Sequence, residues 1–129
     1  MIPPELRQQV LDRIKECKQI VLDKLGIDLG PIEVKFDLTG SIAGTARHLP
    51  LNKKCQLRLN QNYLLTELES MLKNTIPHEV AHLAADVYFN RQCHHSRYWM
   101  HIMITVFGIR HPPVYNYYNT PEAKLDREK

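Results

Sequence analysis

The apolar positions at the start of the chain follow two different rhythms. Leu6, Val10, Ile14, Cys17, Val21 and Leu25 recur at steps of three and four residues, the stripe of an amphipathic helix. Pro3 and Pro4 suit its start and Gly26 its end, because proline fits a first helical turn and glycine the left-handed residue past the last. The spacing predicts a helix over about residues 4–25. Arg7, Arg13, Lys15, Lys18 and Lys24 mostly fall on its other faces and read as a solvated surface. After Gly30-Pro31 the rhythm becomes strict alternation through Ile32-Glu33-Val34-Lys35-Phe36-Asp37-Leu38, a half-buried strand.

Thr39-Gly40-Ser41 reads as a turn and residues 42–49 as a second strand containing Gly44. A glycine inside a strand marks a bulge or a close backbone approach. Pro50-Leu51-Asn52 turns the chain, and residues 55–60 alternate again, with Leu57 and Leu59 on one face. Three short strands joined by short turns predict a small antiparallel sheet. From Gln61 the pattern is helical through Leu64, Leu65, Leu68, Met71 and Leu72. Pro77 predicts a kink or a fresh helix start, since it lacks the N–H that a helix ladder needs. A helix over residues 78–89, a connection over 90–95, and a last helix capped by Ser96 complete the pattern. Trp99, Ile102, Met103, Val106 and Phe107 form the apolar stripe of that last helix, and Gly108 ends it. Trp99 reads as a core residue.

A chain of 129 residues fits one compact α+β domain. With 43% hydrophobic and 24% charged residues it has an ordinary globular composition. No apolar run is long enough to span a membrane. The N-terminus lacks the basic start and apolar stretch of a secretion signal, so the expected location is cytoplasmic. Cys17, Cys55 and Cys93 are odd in number and contain no Cys-x-x-Cys pair, which argues against a disulfide framework or a zinc ribbon. A net charge of +3 permits nucleic-acid contact without demanding it. Arg47, Lys53, Lys54 and Arg58 lie close together around the second and third strands.

The histidines change the picture. His78-Glu79-Val80-Ala81-His82 lies on a predicted helix, where the two rings project from one face about 6 Å apart along the axis. That spacing lets two imidazole nitrogens meet one zinc ion. Glu79 lies about 100° around the helix, beside the metal, where a carboxylate can accept a proton from an activated water. Random order would produce roughly 0.02 such motifs in a chain of this composition, so coincidence is a poor explanation. A catalytic zinc takes a third protein ligand and keeps an open position. His95, His94 and Asp86 are the candidates. Asp86 suits a partner of a ligand histidine better than a ligand, and spacing does not choose between His94 and His95.

Three segments together resemble the SprT family of zinc metallopeptidases, bacterial relatives of the Spartan protease that degrades proteins crosslinked to DNA. They are Ser41-Ile42-Ala43-Gly44-Thr45-Ala46, Ile76-Pro77-His78-Glu79-Val80-Ala81-His82-Leu83 and His95-Ser96-Arg97-Tyr98-Trp99. The resemblance implies His78, His82 and His95 as ligands of one zinc ion and Glu79 as catalytic base. It implies a zincin-like minimal protease domain over residues 1–111, with an N-terminal helix, a small sheet, an active-site helix and a C-terminal helix. Residues 112–129 are then a tail. Ser96 stands where the family has glycine, so the backbone there must suit an ordinary residue.

On this reading the chain is a monomeric peptidase acting on a protein substrate, with proteins bound or crosslinked to DNA as the expected targets. The substrate would lie extended along the strand edge at Gly44, Thr45 and Ala46. Tyr98, Arg97 and His94 are near enough in sequence to be considered as oxyanion donors. The competing reading is a zinc-stabilised nucleic-acid-binding module, with Arg47, Lys53, Lys54 and Arg58 on phosphates.

Overall fold

A computed structural model describes residues 2–49 and 54–109. Lys53, the turn expected at Pro50-Leu51-Asn52 and everything from residue 110 onward, including the expected tail, lie outside the described residues. Helix α1 spans Pro4–Leu25 and buries Val10, Ile14, Cys17 and Val21. Gly26 ends it at φ 69°, with its N–H donating to the Leu22 carbonyl, the left-handed cap that glycine adopts at little cost.

Strands β1 (Ile32–Leu38), β2 (Gly44–Leu49) and β3 (Lys54–Asn60) form one sheet in the order β1-β3-β2. The sheet is mixed rather than antiparallel as the pattern predicted. β3 pairs antiparallel with β2 but parallel with β1. The reason lies in the 39–43 segment, which does not fold β2 back onto β1 as a hairpin. Asn60 carries it across the end of β3 instead. Its buried side chain donates to the carbonyls of Gly40 and Ile42, each at 3.0 Å. Its own N–H donates to the Ala43 carbonyl at 2.9 Å. The Oδ1 of the same side chain accepts from the N–H groups of Asn62 and Tyr63 and so caps the next helix. β2 therefore lands on the far edge of β3. Central β3 buries Cys55, Leu57 and Leu59 almost completely, whereas the inward side chains of β1 are only half-buried.

Beyond β3 the expected long helix is broken. It runs as α2 (Gln61–Thr66), α3 (Leu68–Ser70), a π-helical turn (Met71–Thr75) and α4 (Ile76–Tyr88). Pro77 explains the wide turn. The Ile76 N–H donates five residues back, to the Met71 carbonyl. In that register the Leu72 carbonyl would look to residue 77, which has no N–H to give. Arg13 on α1 supplies the donor, Nε to the Leu72 oxygen at 2.8 Å. Arg13 is therefore a tie between α1 and the approach to α4, not a solvated surface residue. Helix α5 (Arg97–Thr105) follows, and Ser96 caps it by accepting from the Tyr98 N–H.

Helix α4 packs against α1, α5 and β2, which places its first two turns at the centre of the molecule. Trp99, Ile102 and Met103 of α5 bury against that centre. Beyond the helix, Gly108 adopts φ 70° and donates its N–H to the Ile104 carbonyl, as the sequence predicted. Among the described residues no helix is long and apolar enough to cross a membrane.

Candidate metal centre

Every residue of α4 from Ile76 to Ala85 is buried, so the histidines on it are held in a desolvated setting. His78 and His82 lie one turn apart, and His95 reaches them from the loop before α5. The three Nε2 atoms converge: 3.2 Å between His78 and His82, 3.1 Å between His78 and His95, and 2.9 Å between His82 and His95. Zinc–nitrogen bonds of about 2.0–2.1 Å in a tetrahedral arrangement separate ligand atoms by about 3.3 Å. The observed triangle is close to that, so the donor set fits a single metal ion. His95 completes the group, and His94 is not part of it.

Burial holds His78 neutral, with its pKa lowered to about 3 by desolvation and then by the neighbouring His95 ring. His82 is pushed well below its ordinary value, first by desolvation and then by the surrounding histidines. Neutral imidazole is the form that binds a metal. The His82 ring is also hydrogen-bonded to the main chain of His94. His94 adopts φ 49°, a left-handed conformation uncommon outside glycine. Orienting bonds of this kind fix which ring nitrogen faces the metal.

Trp99 does more than fill the core. It is fully buried, its Nε1–H donates to the His78 carbonyl at 3.2 Å, and its ring centre lies 4.7, 5.4 and 5.0 Å from those of His78, His82 and His95. Asp86 acts on the ligand loop. Its carboxylate accepts from the Cys93 N–H at 2.8 Å and so fixes the loop that carries His94 and His95. Burial pushes the Asp86 carboxyl up, partly offset by that bond.

Glu79 is 1% exposed, with Oε2 3.7 Å from His78 Nε2. Gly44 explains how it fits. A Cβ at Gly44 would sit 3.2 Å from Glu79 Cγ, and the β2–β3 register is regular through Gly44. The glycine is a close approach between strand and helix, not a bulge. Thr45 and Ala46 continue β2 along the sheet edge, half-buried.

The basic residues fall elsewhere. Arg47, Lys54 and Arg58 lie on the sheet face opposite Leu57 and Leu59, and so away from α4. Arg58 is paired with Asp37 at 2.9 Å, and Glu33 shares that face through Gln56. Tyr98 lies between Arg91 and Arg97, whose guanidinium carbons stand 5.0 and 5.3 Å from its ring centre. Asn60, the His94 main chain and the Trp99 indole were not anticipated as parts of the site's framework. Only Trp99 left a sequence trace, four residues after His95.

An HExxH pair on a buried helix, a third histidine from the next loop and a carboxylate between them define a candidate single-metal centre in an α+β domain. The chain belongs to the SprT-like family, whose model matches residues 9–119. That match runs past residue 111, where the domain was expected to end. The chain is 33% identical over 112 residues to Protein SprT of Shewanella oneidensis, covering 87% of this chain and 69% of that one. It is 30% identical over 108 residues to Protein SprT of Shigella dysenteriae, covering 84% of this chain and 63% of that one. The Protein SprT of Proteus mirabilis is 29% identical over 108 residues, with 62% of its length spanned. The chain thus spans between three-fifths and seven-tenths of these relatives. No solved structure matches it.

Proposed function

We propose that this protein is a zinc-dependent endopeptidase, with His78, His82 and His95 holding one zinc ion and Glu79 as the catalytic base. The carrying observation is the convergence of three buried or half-buried Nε2 atoms within 3.2 Å, beside a buried carboxylate on the same helix. Three imidazole nitrogens suit zinc. Bound there, zinc would supply a Lewis acid for the scissile carbonyl and an acidified attacking water. The Glu79 carboxylate would accept a proton from the attacking water and pass it to the leaving amine. Gly44 lets the carboxylate lie tight under β2, and the open edge of β2 at Gly44, Thr45 and Ala46 offers backbone groups to an extended substrate. Trp99 and the His94 main chain hold the ligand rings in register. Proteins held on or crosslinked to DNA are the proposed substrates, and membership in the SprT-like family supports this part.

The test is Glu79→Gln, which keeps the side chain's shape and removes its basicity. Bound zinc should stay at one equivalent per chain, while cleavage of an unfolded protein, with or without single-stranded DNA, drops by at least about a hundredfold. Retained cleavage in that variant would remove Glu79 from the mechanism. Loss of zinc on mixing with a weak chelator would remove the triad.

A further inference from the structure

A cavity of about 370 Å³ is lined by Ala43, Tyr63, Glu67, Ser70, Met71 and Thr75. Two irregular pieces of backbone build it. One is the crossover at residues 40–43, fixed by Asn60 and by the Tyr63 hydroxyl, which donates to the Ser41 carbonyl at 3.2 Å. The other is the π turn, which contributes Met71 and Thr75. Such wide turns concentrate at functional sites. Two of its lining residues are chain neighbours of the site: Ala43 precedes Gly44, where a Cβ would crowd Glu79 Cγ at 3.2 Å, and Thr75 lies one helical turn before Glu79. A second cavity, at His48, Asp86 and Asn90–Gln92, lies at the other end of β2.

We propose that the 370 Å³ cavity receives the side chain of the substrate residue that supplies the leaving amine, and that it selects a long cationic side chain. This rests on the peptidase reading above. Glu79 hands its proton to the amine nitrogen, so that nitrogen comes within hydrogen-bond reach of the carboxylate. The residue carrying it therefore lies on the Glu79 side, the side on which Thr75 and Ala43 line the cavity. The volume is at the small end of ligand sites and admits one extended side chain. Tyr63 and Met71 line it with apolar surface for a methylene stem. Ser70 and Thr75 add hydroxyls. Glu67 adds a carboxylate that forms no ion pair among the described residues, whereas its neighbour Glu69 is engaged by Lys73 at 2.6 Å. Glu67 sits where α2 and α3 part, with its N–H donating to the Tyr63 carbonyl at 2.7 Å, so its backbone is held at the cavity.

The experiment uses zinc-loaded protein and unstructured peptides that differ only at the residue after the scissile bond, carrying Lys, Arg, Gln, Glu or Leu there. Wild type should favour Lys and Arg. Glu67→Gln should lower the Lys-to-Leu ratio of kcat/KM by about two- to fivefold at low salt, the size expected of one exposed charge pair. Glu67→Lys should turn the preference toward Glu. Ser70→Tyr, at an exposed position, should slow the Lys and Leu peptides together by crowding the cavity. Glu69→Gln, which does not line the cavity, should leave the ratio unchanged. Thermal melts establish that each variant is folded. If the Glu67 variants keep the wild-type ratio while Glu79→Gln is silent, the pocket is wrong and the peptidase reading stands. If zinc-loaded wild type cleaves none of the peptides and no unfolded protein, both fall.

Discussion

Replacing Gly44 with alanine adds one methyl group between β2 and α4. Gly44 is not among the left-handed glycines, so its backbone accepts alanine and any cost comes from contact. The new Cβ would meet Glu79 Cγ at 3.2 Å, Leu59 Cδ2 at 3.3 Å and the Arg58 carbonyl oxygen at 3.4 Å. The Arg58 carbonyl belongs to central β3, opposite Thr45, and Leu59 is fully buried. Glu79 and Leu59 meet the new methyl with side chains and Arg58 with backbone, and Glu79 is the nearest of the three. A shift of a few tenths of an ångström relieves the contact, which puts the stability cost near the low end of overpacking, about 1 kcal/mol. For a domain of this size that is a drop in Tm of about 3–6 °C. The same shift moves the catalytic carboxylate, and since a misplacement of about 1 Å costs about a hundredfold in rate, a few tenths of that costs about three- to tenfold. Gly44→Ala should therefore bind zinc normally, melt slightly earlier and lose most of its kcat/KM.

The contact can be isolated by a double-mutant cycle read through urea denaturation. In a Glu79→Ala background the Cγ is gone, and the cost of Gly44→Ala should shrink by about 0.5 kcal/mol or more. An equal cost in both backgrounds would assign the strain to Leu59 or the Arg58 carbonyl instead. Full kcat/KM in folded Gly44→Ala would refute the link between this glycine and the carboxylate's position.

Arg13→Met keeps the aliphatic stem and removes the donor to the Leu72 carbonyl. It should cost about 0.5–1.5 kcal/mol in urea denaturation, the net worth of one part-buried hydrogen bond, and an unchanged midpoint would show that water replaces the guanidinium. The buried histidines predict acid sensitivity in the metal-free protein. Their folded pKa values lie below the ordinary value of 6.5, His78 at about 3, so the unfolded chain takes up protons first as pH falls. The stability they contribute is present above about pH 6.5 and drains away toward pH 3, by an amount on the order of a few kcal/mol. Urea midpoints that stay flat from pH 7 to pH 4 would contradict the burial of these rings.

The regular parts of the fold were legible because each is set by one local rule. The 3–4 spacing of Val10, Ile14, Cys17 and Val21, closed by Gly26, reproduces α1 to its ends, and alternation alone delimits β1. Sheet topology was not legible in the same way. Thr39-Gly40-Ser41 has the composition of a hairpin turn. Its actual path is decided by Asn60, twenty residues further on, through bonds that no periodicity records. Likewise Pro77 announced a disturbance, but its form depended on Arg13 from a distant helix covering the carbonyl that the proline could not. The third histidine was open for the same reason. His94 and His95 are equivalent by spacing, and the left-handed turn at His94 decides which ring faces inward.

These departures share a location. The crossover held by Asn60 sets where Gly44 lies, the π turn sets the start of the helix bearing His78 and Glu79, and the φ of His94 turns its main chain toward His82. Each breaks a local preference, and each stands close along the chain to the metal centre's framework or to the cavity lined by Ala43 and Thr75. Local rules describe the scaffold because packing rewards regularity there. A metal centre must instead bring a helix, a strand edge and a loop to one point, and regular elements alone do not converge so tightly. The irregularities are the cost of that convergence, which is why sequence periodicity loses its grip there and why the chemistry concentrates in the same place.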